Sequence, residues 1–255
     1  MKPLFTKFKI TTLGCKVNQF ESEAIARQLA QSDLTQVPKS EPADLCIINT
    51  CTVTGKASMQ SRQAVRQSIR ANPEARIVVT GCYAQTAPEE IRKIEGVHAI
   101  VGHGNKHNIP EMILKTDGGS CTVETSNRQN SRFQKAPVIG FGNRARPFLK
   151  IQDGCDAFCT YCIVPRARGP SRSLPVDDVL EGIHELKKAA YHEVVLTGIH
   201  LGSYGQDLMP RTNLLTLLRH IRETGAIDRV RLSSIEPREL SEKLIDFIAG
   251  AGEGA

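Results

Sequence analysis

Four times in the first 115 residues, a short apolar, β-branched run is followed by a stretch with helical spacing. The runs are "FKITTLG" (8–14), "ADLCIINT" (43–50), "ARIVVTG" (75–81) and "HAIVGH" (98–103). The helical stretches cover 18–32, 56–71, 87–96 and 106–115, the first carrying Phe20, Ala24, Ile25 and Leu29 on one face. Apolar strands alternating with helices restrict the fold to a parallel sheet with helices on its faces. The prediction is α/β: a doubly wound parallel-sheet domain over 1–125, ending in an edge strand around Cys121.

The pattern breaks between 126 and 145, where "SNRQNSR" and "GFGNRARP" are polar, Gly-rich or basic and read as a linker. From 146 to 255 the alternation resumes. Strands are expected over 148–154, 192–198 and 229–237, and helices over 176–191, 213–225 and 239–250. This second domain is a piece of barrel or open sheet. At 40% hydrophobic and 24% charged residues the chain can bury a core without staples. A net charge of +6 tolerates a polyanionic partner without demanding one, and with no Trp there is little case for aromatic stacking of bases. The N-terminus has no apolar signal core, and no apolar run reaches the length of a bilayer span. The expectation is a cytoplasmic chain with no membrane association. There, thiols stay reduced and clustered cysteines bind metal or do chemistry.

Of eight cysteines, six fall in two groups. Cys15, Cys51 and Cys82 each follow a predicted strand, in "TLGC", "INTC" and "VTGC". Ligands of open α/β sheets bind beyond the carboxyl ends of the strands, so three such cysteines are expected to converge. Taken singly, each could be a small buried hydrophobe. Cys46, inside "LCII", reads as core, and Cys121 as structural or incidental. The second group is Cys155, Cys159 and Cys162 in "CDAFCTYC". A structural zinc site wants four ligands, and the closest histidine along the chain, His184, is distant. Three thiolates on one loop suit a four-iron cluster with one iron open to a small molecule.

"CDAFCTYC", with Tyr161 before the last cysteine, resembles the cluster loop of the radical S-adenosylmethionine (SAM) superfamily. "TLGCKVNQFESE", "INTCTVTGKA" and "VTGCYAQ" resemble the N-terminal domain of its methylthiotransferases, and "VVLTGIHLGSYGQD" and "RLSSIEP" extend the likeness over nearly the whole chain. "GCKVNQ" and "NTCTVT" resemble the subgroup acting on N6-threonylcarbamoyladenosine of tRNA. The resemblance implies that the second domain is the first half of a radical SAM partial (β/α) barrel. It implies two [4Fe-4S] clusters: a radical-generating one on Cys155, Cys159 and Cys162, and one on Cys15, Cys51 and Cys82 that carries or supplies sulfur. SAM would be cleaved to methionine and a 5′-deoxyadenosyl radical that attacks adenine C2, and a second SAM would give the methyl group. The product would be 2-methylthio-N6-threonylcarbamoyladenosine next to the anticodon, at tRNA position 37. Partners would be tRNA, an electron donor such as flavodoxin or ferredoxin, and a sulfur donor.

Given that likeness, Thr197 and Gly198 at one strand end, and Ser234 and Glu236 at another, are candidate SAM contacts; a glycine turn, or an N-cap at Ser233 or Ser234, is the alternative. Arg62, Arg66 and Arg70 line one helix face and read as solvated, whereas Arg166, Arg168 and Arg172 are candidate phosphate contacts. Family members continue through further βα units and a small RNA-binding β-domain. This chain ends after roughly three βα units, so an exposed sheet edge and helix face are expected. Methylthiolation of another tRNA adenosine or of a ribosomal-protein residue, a non-catalytic iron–sulfur fragment, and a zinc-stabilised RNA-binding module are the competing readings.

Overall fold

In the computed structural model, which describes residues 5–115, 121–125, 133–136 and 146–250, the first apolar runs become one six-stranded parallel sheet. Its strands are β1 (Lys7–Thr12), β2 (Thr35–Gln36), β3 (Leu45–Thr50), β4 (Arg76–Gly81), β5 (Ala99–Val101) and β6 (Thr122–Glu124). The helices between them are α1 (Lys16–Ala30), α2 (Gly55–Ala71), α3 (Cys82–Thr86), α4 (Pro88–Arg92) and α5 (Ile109–Lys115). Strand order is β2-β1-β3-β4-β5-β6. β6 is the edge strand expected at Cys121, β2 and α3 are additions, and the start of the helix expected over 106–115 falls in a 3-10 turn, His103–Asn108.

Alternation along the strands builds two cores. Leu45 and Ile47 of β3 and Val78 of β4 point to the face covered by Ile25 and Leu29 of α1 and Ile109 and Ile113 of α5. Cys46, Ile48, Ile77 and Val79 point to the opposite face, under Val65 of α2, Tyr83 of α3 and Ile91 of α4. The sheet is therefore doubly wound, and Cys46 is a core residue, 3% exposed. The chain runs from β1 outward to β2 and returns to β3 on the other side of β1, which makes the β1/β3 gap the topological switch point.

The chain divides into two compact units, Met1–Ser131 with Cys159–Gly169, and Arg132–Phe158 with Pro170–Ala255. The first therefore takes in α6 (Val164–Arg168), which packs on α3. Pro165 stands in the first turn of α6, and Gly169, at φ +76°, ends it. The stretch 126–145 lies outside the described residues except for 133–136.

The second unit contains β7 (Phe148–Lys150), β8 (Gln152–Asp153), β9 (Arg172–Ser173), β10 (Glu193–Thr197) and β11 (Arg229–Leu232), with α7 (Val176–Lys188), α8 (Leu214–Thr224) and α9 (Glu242–Gly250). β11-β10-β7 is a parallel sheet, and β8 pairs antiparallel with β9. Asn213 caps α8 by accepting the Thr216 N–H at 2.9 Å, and Gly225 closes it in the left-handed region. Among the described residues β11 is an edge, and α9 leaves Ile245 and Ile248 exposed.

Gly81 joins β4 to α3 at φ +100°, and a Cβ there would lie 2.3 Å from the Thr50 carbonyl oxygen. Gly81→Ala is expected to lower the unfolding free energy by about 1–3 kcal/mol or more, read by urea denaturation. Gly55→Ala meets nothing within 4 Å at the start of α2 and is expected to be neutral or stabilising by up to about 1 kcal/mol in the same assay.

Candidate functional site

The first-unit cysteines stand where strand chemistry puts them. Cys15 precedes α1, Cys51 follows β3 and Cys82 opens α3 directly after β4. Cys15 and Cys51 flank the switch point. A Cβ on Gly14 would sit 2.8 Å from the Cys51 sulfur, so the Cys15 loop reaches that sulfur through a glycine. A cleft of about 490 Å³ opens beside Cys51, lined by Gly14, Cys51, Val53, Ala57, Gln60 and Gln67 among others.

Backbone anchors fix these loops. The Asn18 amide donates to the carbonyls of Leu13 at 2.8 Å and Thr50 at 2.9 Å, pinning the chain before Cys15 and before Cys51. Ser61 Oγ donates to the Cys51 carbonyl at 2.8 Å and accepts its N–H at 3.1 Å. Below lies a buried charged network. Glu21 receives Lys106 Nζ at 2.5 Å and Arg168 Nη1 at 3.0 Å. Arg168 also donates to Asn18 Oδ1 at 2.6 Å, and Lys106 to Asn49 Oδ1 at 3.1 Å. His103 Nε2 lies 3.4 Å from the Cys82 sulfur. Burial pushes the Cys82 thiol up, against the pull of Arg168 and Lys106. Burial also pulls Lys106 down, against Glu21.

The CxxxCxxC cysteines are divided between the units: Cys155 belongs to the second, Cys159 and Cys162 to the first. Cys162 donates its N–H to the Cys159 carbonyl at 2.9 Å, closing the turn between them. In the second unit, His200 Nδ1 lies 3.5 Å from the Cys155 sulfur, and its Nε2 contacts Glu239. Buried Gln152 organises this end. Its Nε2 donates to the Gly154 carbonyl at 2.9 Å, and its Oε1 accepts the N–H groups of Ile199 at 2.9 Å and His200 at 2.8 Å. A cleft of about 540 Å³ here is lined by Asp156, Ser171, His200, Asp207, Arg238 and Glu239 among others.

The candidate SAM contacts have local partners. Thr197 is 1% exposed and accepts from Ser233 Oγ at 3.2 Å. Gly198 gives close approach to Gln152, whose Cβ would lie 2.9 Å from an added Cβ. Ser234 is exposed, and its carbonyl accepts the Leu201 N–H at 3.0 Å. Glu236 forms a capping box with Glu239, so the cap falls there and not at Ser233 or Ser234. Two of the expected phosphate contacts are corrected. Arg168 is 1% and Arg172 5% exposed, each paired with a carboxylate, Glu21 and Asp153 at 3.0 and 3.6 Å. Burial removes both from the surface, and of the three only Arg166 is exposed. Arg62, expected to be solvated, donates to Tyr83 Oη at 2.7 Å. His103, His200 and Gln152 escaped the reading of the sequence, although "IQDGC" holds Gln152 beside the triplet motif.

All eight cysteines are thiols, not disulfides. Among the described residues no three His, Cys, Asp or Glu side chains gather tightly enough for a single metal ion. A multi-iron cluster binds each thiolate to a different iron, so its ligands stand further apart than those of one ion. Three soft donors at the ends of the neighbouring strands β1, β3 and β4 fit such a group in type. No described helix is long and apolar enough to cross a membrane.

Residues 7–102 match UPF0004, an uncharacterized protein family, and residues 149–254 match the radical SAM superfamily. Threonylcarbamoyladenosine tRNA methylthiotransferase MtaB of Bacillus subtilis (strain 168) is 40% identical over 240 residues, 93% of this chain and 53% of the relative. The protein of the same name from Aquifex aeolicus (strain VF5) is 36% identical over 95% of this chain and 59% of its own length. A tRNA-2-methylthio-N(6)-dimethylallyladenosine synthase of Clostridium tetani (strain Massachusetts / E88) is 34% identical over 93% of this chain and 54% of its own. The chain thus spans a little over half the length of these curated relatives. Among solved structures, the radical SAM methyltransferase TsrM of Kitasatospora setae, with cobalamin and a [4Fe-4S] cluster bound, superposes with TM-score 0.61 at 13% identity. It covers 97% of this chain and 59% of TsrM, a likeness of fold alone.

Arg168→Ala would leave the buried Glu21 with one cation fewer and is expected to cost about 3–5 kcal/mol of unfolding free energy in a denaturant titration. In the metal-free protein, iodoacetamide is expected to label exposed Cys15 well before buried Cys82, as mass spectrometry of timed samples would show; the reverse order would contradict the burial.

Proposed function

We propose that the chain is a radical SAM methylthiotransferase acting on C2 of N6-threonylcarbamoyladenosine at position 37 of tRNA, a reading its likeness to such enzymes over 93–95% of its own length supports. The observation that carries this reading is the placement of Cys15, Cys51 and Cys82 on adjacent strand ends at a switch point, in a chain that also carries the Cys155–Cys159–Cys162 spacing. Its likeness to relatives named for this nucleoside supports the substrate.

In this reading Cys155, Cys159 and Cys162 hold one four-iron cluster, and Cys15, Cys51 and Cys82 hold a second. When bound, the first supplies, with SAM, a 5′-deoxyadenosyl radical, and the second supplies sulfur. The chain's own residues orient these groups. Gln152 fixes the start of the triplet loop relative to 198–200, and the polar cleft beside His200 offers donors and acceptors to SAM; Thr197, Gly198, Ser234 and Glu236 stand at the ends of β10 and β11, outside its lining. Asn18 and Ser61 hold the loops of Cys15 and Cys51. A reductant, a sulfur donor and tRNA complete the reaction.

After anaerobic reconstitution the chain is expected to hold about eight irons and eight sulfides, falling to about four of each when Cys15, Cys51 and Cys82 are all changed to Ala. That variant should still cleave SAM under reducing conditions but no longer yield methylthiolated nucleoside in digested tRNA. Zinc in place of iron would sink the reading. Methylthio groups on dimethylallyladenosine or on protein would redirect its substrate.

A further inference from the structure

We infer that His103 is a positioning residue of the first-unit sulfur site. It hydrogen-bonds the Cys82 sulfur and, with the Lys106–Glu21–Arg168 network behind it, raises the reduction potential of the iron–sulfur group held there. The inference rests on the reading that Cys15, Cys51 and Cys82 hold such a group.

The ring is fixed from several sides. His103 is 1% exposed and follows β5 directly. Its backbone N–H, not the ring, donates to Gln85 Oε1 at 2.9 Å, and Gly102 permits that approach, because a Cβ there would lie 2.4 Å from the same oxygen. Gln85 stands on α3, the helix that Cys82 opens, so both partners of the contact are tied to one element. Nε2 then lies 3.4 Å from the Cys82 sulfur, and Nδ1 3.9 Å from Glu21 Oε2. A metal-bound thiolate can only accept, so the ring nitrogen facing it must carry the hydrogen. Behind the ring, Lys106 and Arg168 converge on the one carboxylate of Glu21. An N–H donor on the sulfur and a cationic field behind it both favour the more negative, reduced cluster. His103 is placed to act on Cys82 and not to touch substrate.

The test uses the full chain with Cys155→Ala, Cys159→Ala and Cys162→Ala, so that only the first-unit site contributes a signal after reconstitution with iron and sulfide. Redox titration followed by EPR compares this parent with His103→Gln and His103→Leu. The midpoint is expected to fall in His103→Leu and to stay near the parent value in His103→Gln, whose amide keeps an N–H donor. If the Leu form fails to load iron while the Gln form loads it at the parent potential, the donor is needed to place Cys82 and the inference stands. Equal midpoints in all three, with iron retained, overturn it and leave the cluster reading intact. Loss of iron from both variants overturns it too, since restoring the donor would not restore the site. A parent that retains no iron overturns the inference and the reading beneath it together.

Discussion

A buried carboxylate holding two cations organises the first unit. Glu21 sits on α1 less than two turns from Cys15, Lys106 follows β5, and Arg168 ends α6. Such a cluster is not there for stability alone, since apolar residues of like volume often serve a core as well or better. What it gives is geometry. Guanidinium and ammonium groups drawn from different parts of the sequence meet one carboxylate within hydrogen-bond distance, and Asn18 and Asn49 complete the set while pinning backbone next to two of the cysteines. The loops of Cys15 and Cys51 are therefore indexed to the same buried point.

The two units repeat one chemical device with different residues. In the first, a cysteine sulfur meets a histidine that faces a glutamate: Cys82, His103 and Glu21. In the second, Cys155, His200 and Glu239 make the same chain. A polarised ring nitrogen beside sulfur is a common way for a protein to adjust a soft ligand without adding another one. The placement differs: His103 enters from the end of a strand, whereas His200 stands in the loop after β10, held by Gln152.

Most of the sheet was legible because its strands are continuous apolar runs, and burial on both faces leaves no other pattern. The strand-end positions of Cys15, Cys51 and Cys82 followed from that, as did the core assignment of Cys46. What stayed hidden was tertiary in origin. The two-residue strands carry no period, so β2 and β9 left no trace, and β8 was merged with β7 in the single strand expected over 148–154. Arg168 and Arg172 read as surface charges, because a basic stretch such as "PRARGPSR" does not announce a carboxylate waiting 147 residues away in the chain for Arg168. His103, Gln152 and His200 needed the fold to bring each beside its sulfur or loop.

The assignment of Cys159–Gly169 to the first unit means that this unit is not contiguous in the chain. During synthesis the ribosome delivers the whole six-stranded sheet before it delivers α6, so Glu21 and Lys106 are made long before Arg168. The sheet must wait, incomplete at its most polar point, until a further stretch of chain has left the exit tunnel. A cut at the apparent boundary near residue 131 would separate that carboxylate from its guanidinium, and the fragment so obtained would lack one member of its own interior. Two of the triplet cysteines arrive with the same segment, which makes completing the first unit and delivering those thiols a single event in the life of the chain.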